Sequence, residues 1–248
     1  MDNTPFFLVG CVRSGTTLLR DLLRQHPRLE APEETHFFRW ADPFGTSRYE
    51  QNYKKSKLFK KHRELDGVSN FDFHYTLQQS LDRKEMSDYY GRLFLLAQQN
   101  EAGRWFDKTP QNVYGSLLIN SYYPDSRFIH IHRNPLNVVA SLMEGKVMPV
   151  STLNASINYW VESFRIIEQL KKLVGDRLFE VPYERLCLEP RKVISELLEY
   201  LGEEISEYPF QSQMAHPEKN KYKKLMDREQ IKLVKQRCEP YLSNYGYD

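Results

Sequence analysis

The chain has 248 residues, 40% hydrophobic and 13% aromatic, which is enough length and apolar content to bury a core without disulfides or a structural metal. A net charge of +2, from 35 basic and 33 acidic residues, is too balanced to mark a nucleic-acid binder, and no nucleic-acid partner is expected. The longest apolar run near the start, Phe6-Phe7-Leu8-Val9, falls far short of the roughly 20 residues of a spanning helix, so no membrane span is expected. With strand-like sequence already at residue 6, no signal peptide is expected. The three cysteines, Cys11, Cys187 and Cys238, form neither a disulfide framework nor a Cys-x-x-Cys metal pair, and the expected location is cytoplasmic.

In chain order, Phe6–Val9 reads as a fully buried strand. Residues 16–25 read as a helix, with Leu18, Leu19, Leu22 and Leu23 on one face. The stretch 42–100 is polar and aromatic and reads as helices inserted on the sheet. Trp105-Phe106 is a short strand candidate, and 127–132 a stronger one, with Phe128, Ile129 and Ile131. Asn134-Pro135 supplies an N-cap and a first-turn proline for a helix carrying Val138, Val139 and Leu142. A strand over 178–181 precedes an amphipathic helix with Val193, Ile194, Leu197, Leu198 and Leu201, stopped by Gly202. Residues 227–242 read as a final helix. Apolar runs alternating with helical periods predict an α/β fold in one domain over 1–248, with a mainly parallel sheet flanked by helices and an insertion around 42–100.

The segment Gly10-Cys11-Val12-Arg13-Ser14-Gly15-Thr16-Thr17 lies between the first strand and the first helix. Backbone N–H groups at such a turn point at one spot and bind an anion. The spacing is Gly-x4-Gly, as in a P-loop, but Thr-Thr follows where an NTPase has lysine. The loop therefore suits a single phosphate or phosphosulfate better than a triphosphate with a metal, although a P-loop-type kinase and a non-catalytic nucleotide-binding module remain alternatives. Val12-Arg13-Ser14-Gly15-Thr16-Thr17-Leu18-Leu19 resembles the 5′-phosphosulfate-binding loop of the sulfotransferases, with Val12 where proline is usual. The resemblance implies a sulfotransferase fold, with 3′-phosphoadenosine 5′-phosphosulfate (PAPS) as co-substrate and no metal. It makes Arg13, Ser14, Gly15, Thr16, Thr17 and Leu18 contacts of the 5′-phosphosulfate.

Other segments extend the resemblance. Arg133 at a strand end, with Ser141 eight residues on, is similar to the family's 3′-phosphate element, since an Arg fork facing a hydroxyl can hold a dianion. Val181-Pro182-Tyr183-Glu184-Arg185-Leu186 resembles a Tyr-Glu-Asp-Leu segment whose tyrosine lies near adenine, which implies Tyr183. Asn220-Lys221-Tyr222 is similar to a Ser-Lys-Trp element of the tyrosylprotein sulfotransferases, which implies Lys221 as a cofactor contact, and Tyr245-Gly246-Tyr247-Asp248 resembles the Leu-Gly-Tyr-Asp close of the same group. The segment from His26-Pro27 to Glu33-Glu34-Thr35-His36-Phe37-Phe38 is similar to stretches of tyrosylprotein and heparan-type enzymes in which a glutamate is the catalytic base. Glu34 aligns with it. Glu33 and His36 are neighbours whose facing is open. Asp107-Lys108-Thr109-Pro110 resembles an element whose lysine approaches the leaving oxygen. This implies charge stabilisation or acid catalysis by Lys108 alongside Arg13, with Asn112 as a candidate substrate contact. The acceptor hydroxyl stays open between peptide tyrosine, glycan, lipid and metabolite. The basic run from Lys54 to Arg63 either draws an acidic peptide or glycan or is a solvated helix face.

Overall fold

The computed structural model describes residues 3–145, 150, 152–205, 210–211, 215–216 and 219–247. Five strands, β1 (Phe6–Val9), β2 (Leu29–Glu30), β3 (Arg104–Lys108), β4 (Phe128–His132) and β5 (Leu178–Pro182), pair in parallel in the order β2-β3-β1-β4-β5. Phe6 is aligned with Phe106, and Leu8 with Lys108 on one side and Ile129 on the other. All four β1 residues are buried, as a strand covered on both faces requires. The period-2 alternation divides them. Phe6 and Leu8 join a core with α1 (Thr16–Leu23) and the apolar stripe Val193, Ile194, Leu197, Leu198 and Leu201, whereas Phe7 and Val9 face an aromatic core on the opposite side.

That aromatic core is supplied largely by four helices between β2 and β3: α2 (Ser47–Lys54), α3 (Lys57–Leu65), α4 (Asn70–Gln79) and α5 (Arg83–Ala97). Each starts at a side-chain cap: Thr46, Ser56, Ser69 and Asp82 in turn accept from a backbone N–H three residues on. Their inner faces stack Tyr49, Tyr53, Phe59, Phe73 and Tyr90 around Phe37. From α5, buried Arg83 donates to the carbonyls of Phe37, Trp40 and Asp42, and so pins the turn that leaves β2.

After β3 a 3-10 turn, Pro110–Gly115, leads into α6 (Ser116–Tyr122). Then α7 (Pro135–Met143) starts on the Asn134 cap, whose side chain accepts from the Leu136 N–H. The longest helix, α8 (Leu153–Val174), was not part of the sequence expectations, although Ile157, Trp160, Phe164, Ile167, Leu170 and Val174 trace its buried stripe. The chain continues through α9 (Tyr183–Leu188), α10 (Pro190–Leu201), α11 (Tyr222–Leu225) and α12 (Arg228–Tyr245). Gly202 closes α10 at φ 73°. Among the described residues no helix is long and apolar enough to cross a membrane, and no group of three or more His, Cys, Asp or Glu gathers as a metal site.

Candidate active site

Because every strand runs the same way, the loops after β1, β2, β3, β4 and β5 open at one end of the sheet, where open α/β sheets bind ligands. The loop after β1 carries three residues with positive φ, Gly10 (159°), Arg13 (71°) and Gly15 (99°), the last two turning it sharply into α1. Unlike the capped helices above, α1 has no side-chain cap, so its first amides keep their donors directed outward. Ser14 beside them is fully buried, and its hydroxyl has no partner among the described residues. A buried orphan hydroxyl beside uncapped helical amides fits an anion.

The second group closes on this loop from β4, α7 and α9. Arg133 at the end of β4 donates Nη1 to the Arg13 carbonyl at 3.0 Å, while Arg13 Nε donates to Ser141 Oγ at 3.0 Å. The Arg133 guanidinium lies 4.4 Å from the centre of the Tyr183 ring. Tyr183 itself sits on Gly15, where an added Cβ would fall 2.3 Å from the ring, so this position requires glycine for space as well as for its φ. Arg13, Ser14, Gly15, Arg133, Ser141 and Tyr183, read separately from the sequence, thus meet in one place. Thr16 and Thr17 open α1, with Thr16 buried and Thr17 exposed, and Leu18 is half-buried behind them. Lys221 reaches Glu144, one helical turn beyond Ser141, at 3.7 Å.

On the β2–β3 side, Lys108 at the end of β3 holds Glu34 Oε1 at 2.8 Å, and His36 Nε2 lies 3.5 Å from the other carboxylate oxygen. Burial pushes the Glu34 carboxyl up, but His36 and the Lys108 ammonium outweigh it and hold it down at about 2. Burial depresses the His36 imidazole despite the Glu34 carboxylate beside it, so the ring is neutral at pH 7. The loop is fixed from beneath. Thr109 Oγ1 accepts from the Thr35 N–H, Thr35 Oγ1 donates to buried Asp107, and His62 Nδ1 contacts the Glu34 carbonyl at 3.2 Å. His36 takes φ 58°, a strained value for a bulky side chain and the turn that sends the following residues toward the insertion.

The facing of Glu33 and His36, open in the sequence, is settled here. Glu33 turns away to Arg20 at 3.2 Å, whereas His36 stays beside Glu34. Asn112 is buried, with both side-chain polar atoms lacking a partner among the described residues. The run from Lys54 to Arg63 is not a continuous free basic face. Lys54 pairs with Glu50, Lys60 with Glu64, and Arg63 is buried with its guanidinium 4.1 Å from the centre of the Phe73 ring. His130 and His132 are sheet residues, buried in β4. His132, depressed to about 3 chiefly by burial, lies 2.6 Å from the Tyr247 hydroxyl. Two supports escaped the sequence reading. Arg83 acts on carbonyls more than forty residues away, which no local pattern reveals. Glu184, which accepts from the Asn134 N–H at the start of α7, could have been noticed as the residue next to Tyr183.

A family model described as the sulfotransferase family matches residues 5–207. The chain belongs to the sulfotransferase family. The nodulation protein NoeE of Sinorhizobium fredii is 30% identical over 136 residues, covering 55% of this chain and 30% of that protein. Protein-tyrosine sulfotransferase 2 of Gallus gallus is 24% identical over 192 residues, covering 75% of this chain and 47% of that protein. The chain therefore spans less than half the length of these curated relatives. Among solved structures, the sulfotransferase domain from the curacin biosynthetic pathway superposes with a TM-score of 0.67 at 19% identity, covering 100% of this chain and 99% of that one. Mouse sulfotransferase SULT7A1 complexed with PAP superposes at 0.53 with 12% identity, covering 98% and 86%. These likenesses show that the five-stranded parallel sheet with flanking helices is the sulfotransferase fold.

Proposed function

We propose that this sulfotransferase moves the sulfuryl group of PAPS to an acceptor hydroxyl, with Glu34 as general base. The observation that carries this reading is the Glu34–Lys108 contact at 2.8 Å, at the same end of the sheet as the loop built from Arg13, Ser14 and Gly15. In this reading the amides of Gly15, Thr16, Thr17 and Leu18, with Ser14 and Arg13, hold the 5′-phosphosulfate. Arg133, Ser141 and Lys221 hold the 3′-phosphate, and Tyr183 lies against the adenine. Glu34 removes the proton of the acceptor hydroxyl as its oxygen bonds to sulfur. Lys108 faces the bridging oxygen that leaves with the 5′-phosphate, and neutralises the charge that collects there. Positioning and charge stabilisation suffice for such a transfer, as they do for phosphoryl transfer.

A carboxyl held at about 2 is a weak base, so the Lys108 contact must loosen before Glu34 can act. A sulfonate offers Lys108 a second anion, and shifting the ammonium toward it frees Glu34 and raises its basicity. Residues 42–100 form the acceptor side of a single domain in this reading, and three buried cysteines suit a reducing cytoplasm.

The test is calorimetry with 3′,5′-adenosine bisphosphate, using 5′-AMP and ATP with Mg²⁺ as controls. Micromolar binding of the bisphosphate, with AMP much weaker, is expected. Preference for ATP with Mg²⁺ would assign the loop to a kinase instead.

A further inference from the structure

Between the turn after β2, the 3-10 turn after β3 and α8 lies a cleft of about 680 Å³, walled by Trp40, Tyr114, Leu118 and Tyr159, with Arg39 and Glu162 among its polar groups. None of the phosphate-holding residues lines it. Neither Glu34 nor Lys108 lines it, and one side chain links it to the candidate base: the Trp40 ring lies 5.8 Å from the His36 ring, and His36 lies 3.5 Å from the Glu34 carboxylate. The walls are fixed. Arg83 holds the carbonyls on both sides of Arg39, and Gly115 lets the two turns meet so closely that a Cβ there would fall 2.0 Å from the Phe38 carbonyl oxygen.

Arg39 has no carboxylate partner among the described residues, and its guanidinium lies 5.6 Å from the centre of the Trp40 ring. A half-buried cation with an aromatic neighbour and no ion pair is matched by an anionic group on whatever fills the cleft. Glu162 is exposed, so water screens its charge far more than that of Arg39. The aromatic walls suit a flat, apolar body.

Taking Glu34 as the base, as proposed above, we infer that this cleft is the acceptor subsite and that it selects a phenol bearing a carboxylate, with Arg39 as the residue that sets the charge preference. The carboxylate pairs with Arg39, the ring lies among Trp40, Tyr114 and Tyr159, and the hydroxyl points toward Glu34.

Calorimetry with three phenols of one shape tests this: anionic 3-(4-hydroxyphenyl)propionate, neutral p-cresol and cationic tyramine. The propionate should bind about tenfold tighter than tyramine at low salt, and the gap should narrow in 0.5 M NaCl. Arg39→Glu should reverse the order, and Arg39→Gln should level it, with melting temperature and 3′,5′-adenosine bisphosphate affinity unchanged in both. Equal binding of the three phenols, binding of none, tyramine binding best, or a preference that persists without Arg39 would each overturn the assignment. The bisphosphate titration separates the two proposals. Bisphosphate binding without phenol selection removes the subsite and leaves the donor site. Phenol selection reversed by Arg39→Glu in a chain that ignores the bisphosphate keeps the subsite and removes the donor reading.

Discussion

Strand β3 carries a buried cation at each end, and the two are treated in opposite ways. At its amino end Arg104 donates Nε to the Thr4 carbonyl, and Nη1 to the Leu201 carbonyl and to Glu203, which also accepts from Arg28. At its carboxyl end Lys108 holds the partly exposed Glu34, and nearby Ser14 Oγ, His36 Nδ1 and both polar atoms of Asn112 are buried without partners among the described residues. Strain follows the same division. Arg13 and His36, two of the four non-glycine residues with positive φ among those described, lie at the carboxyl end. The amino end is paired within the fold, whereas the carboxyl end keeps hydrogen-bonding capacity unused among the described residues.

The sharpest way to break this comparison is to neutralise one carboxylate at each end. Glu34→Gln should lower turnover on the order of 10²–10⁴-fold, with bisphosphate affinity nearly intact. Unchanged turnover would remove Glu34 as the base. Glu203→Ala should do the opposite, costing about 3 kcal/mol in urea unfolding by stranding Arg104 and Arg28, while bisphosphate affinity stays unchanged in the folded fraction. Arg133→Ala should weaken the bisphosphate by about 1.5–3 kcal/mol in calorimetry, as expected for a lost charged hydrogen bond, with 5′-AMP affected much less.

The smallest effect is a pH limb. The Glu34 carboxyl is held at about 2, below its ordinary 4.5, so its pairing contributes stability above pH 4.5 and loses it as the pH falls toward 2. Glu180 behaves alike: burial raises it, but His130 and Lys171 hold it at about 2. Glu34→Gln should therefore shrink, not abolish, the loss of stability between pH 4.5 and 2, as read from urea midpoints across that range.

What the sequence disclosed follows from how local each signal is. Phe6–Val9, the Asn134-Pro135 helix start and the stop at Gly202 each rest on a few adjacent residues, and each stands where the pattern puts it. The turn over 10–17 was legible because its glycines and hydroxyl residues are consecutive between a strand and a helix. The Glu34–Lys108 contact joins residues 74 positions apart, and nothing in either segment states the distance between them. Which way Glu33 faces turned on Arg20, a side chain 13 residues earlier on α1. The helix α8 shows a different failure. Its stripe from Ile157 to Val174 has regular helical spacing, so the signal was present and went unused.

The brevity of β2 has a consequence for how molecules of this chain meet one another. A sheet border is a row of unsatisfied backbone groups that can recruit a strand from another molecule. Here that border is two residues long, Leu29–Glu30, and Pro32, two positions beyond it, has no amide hydrogen to give. An incoming strand would find too few rungs to hold it, so the sheet discourages self-association along this side by ending early.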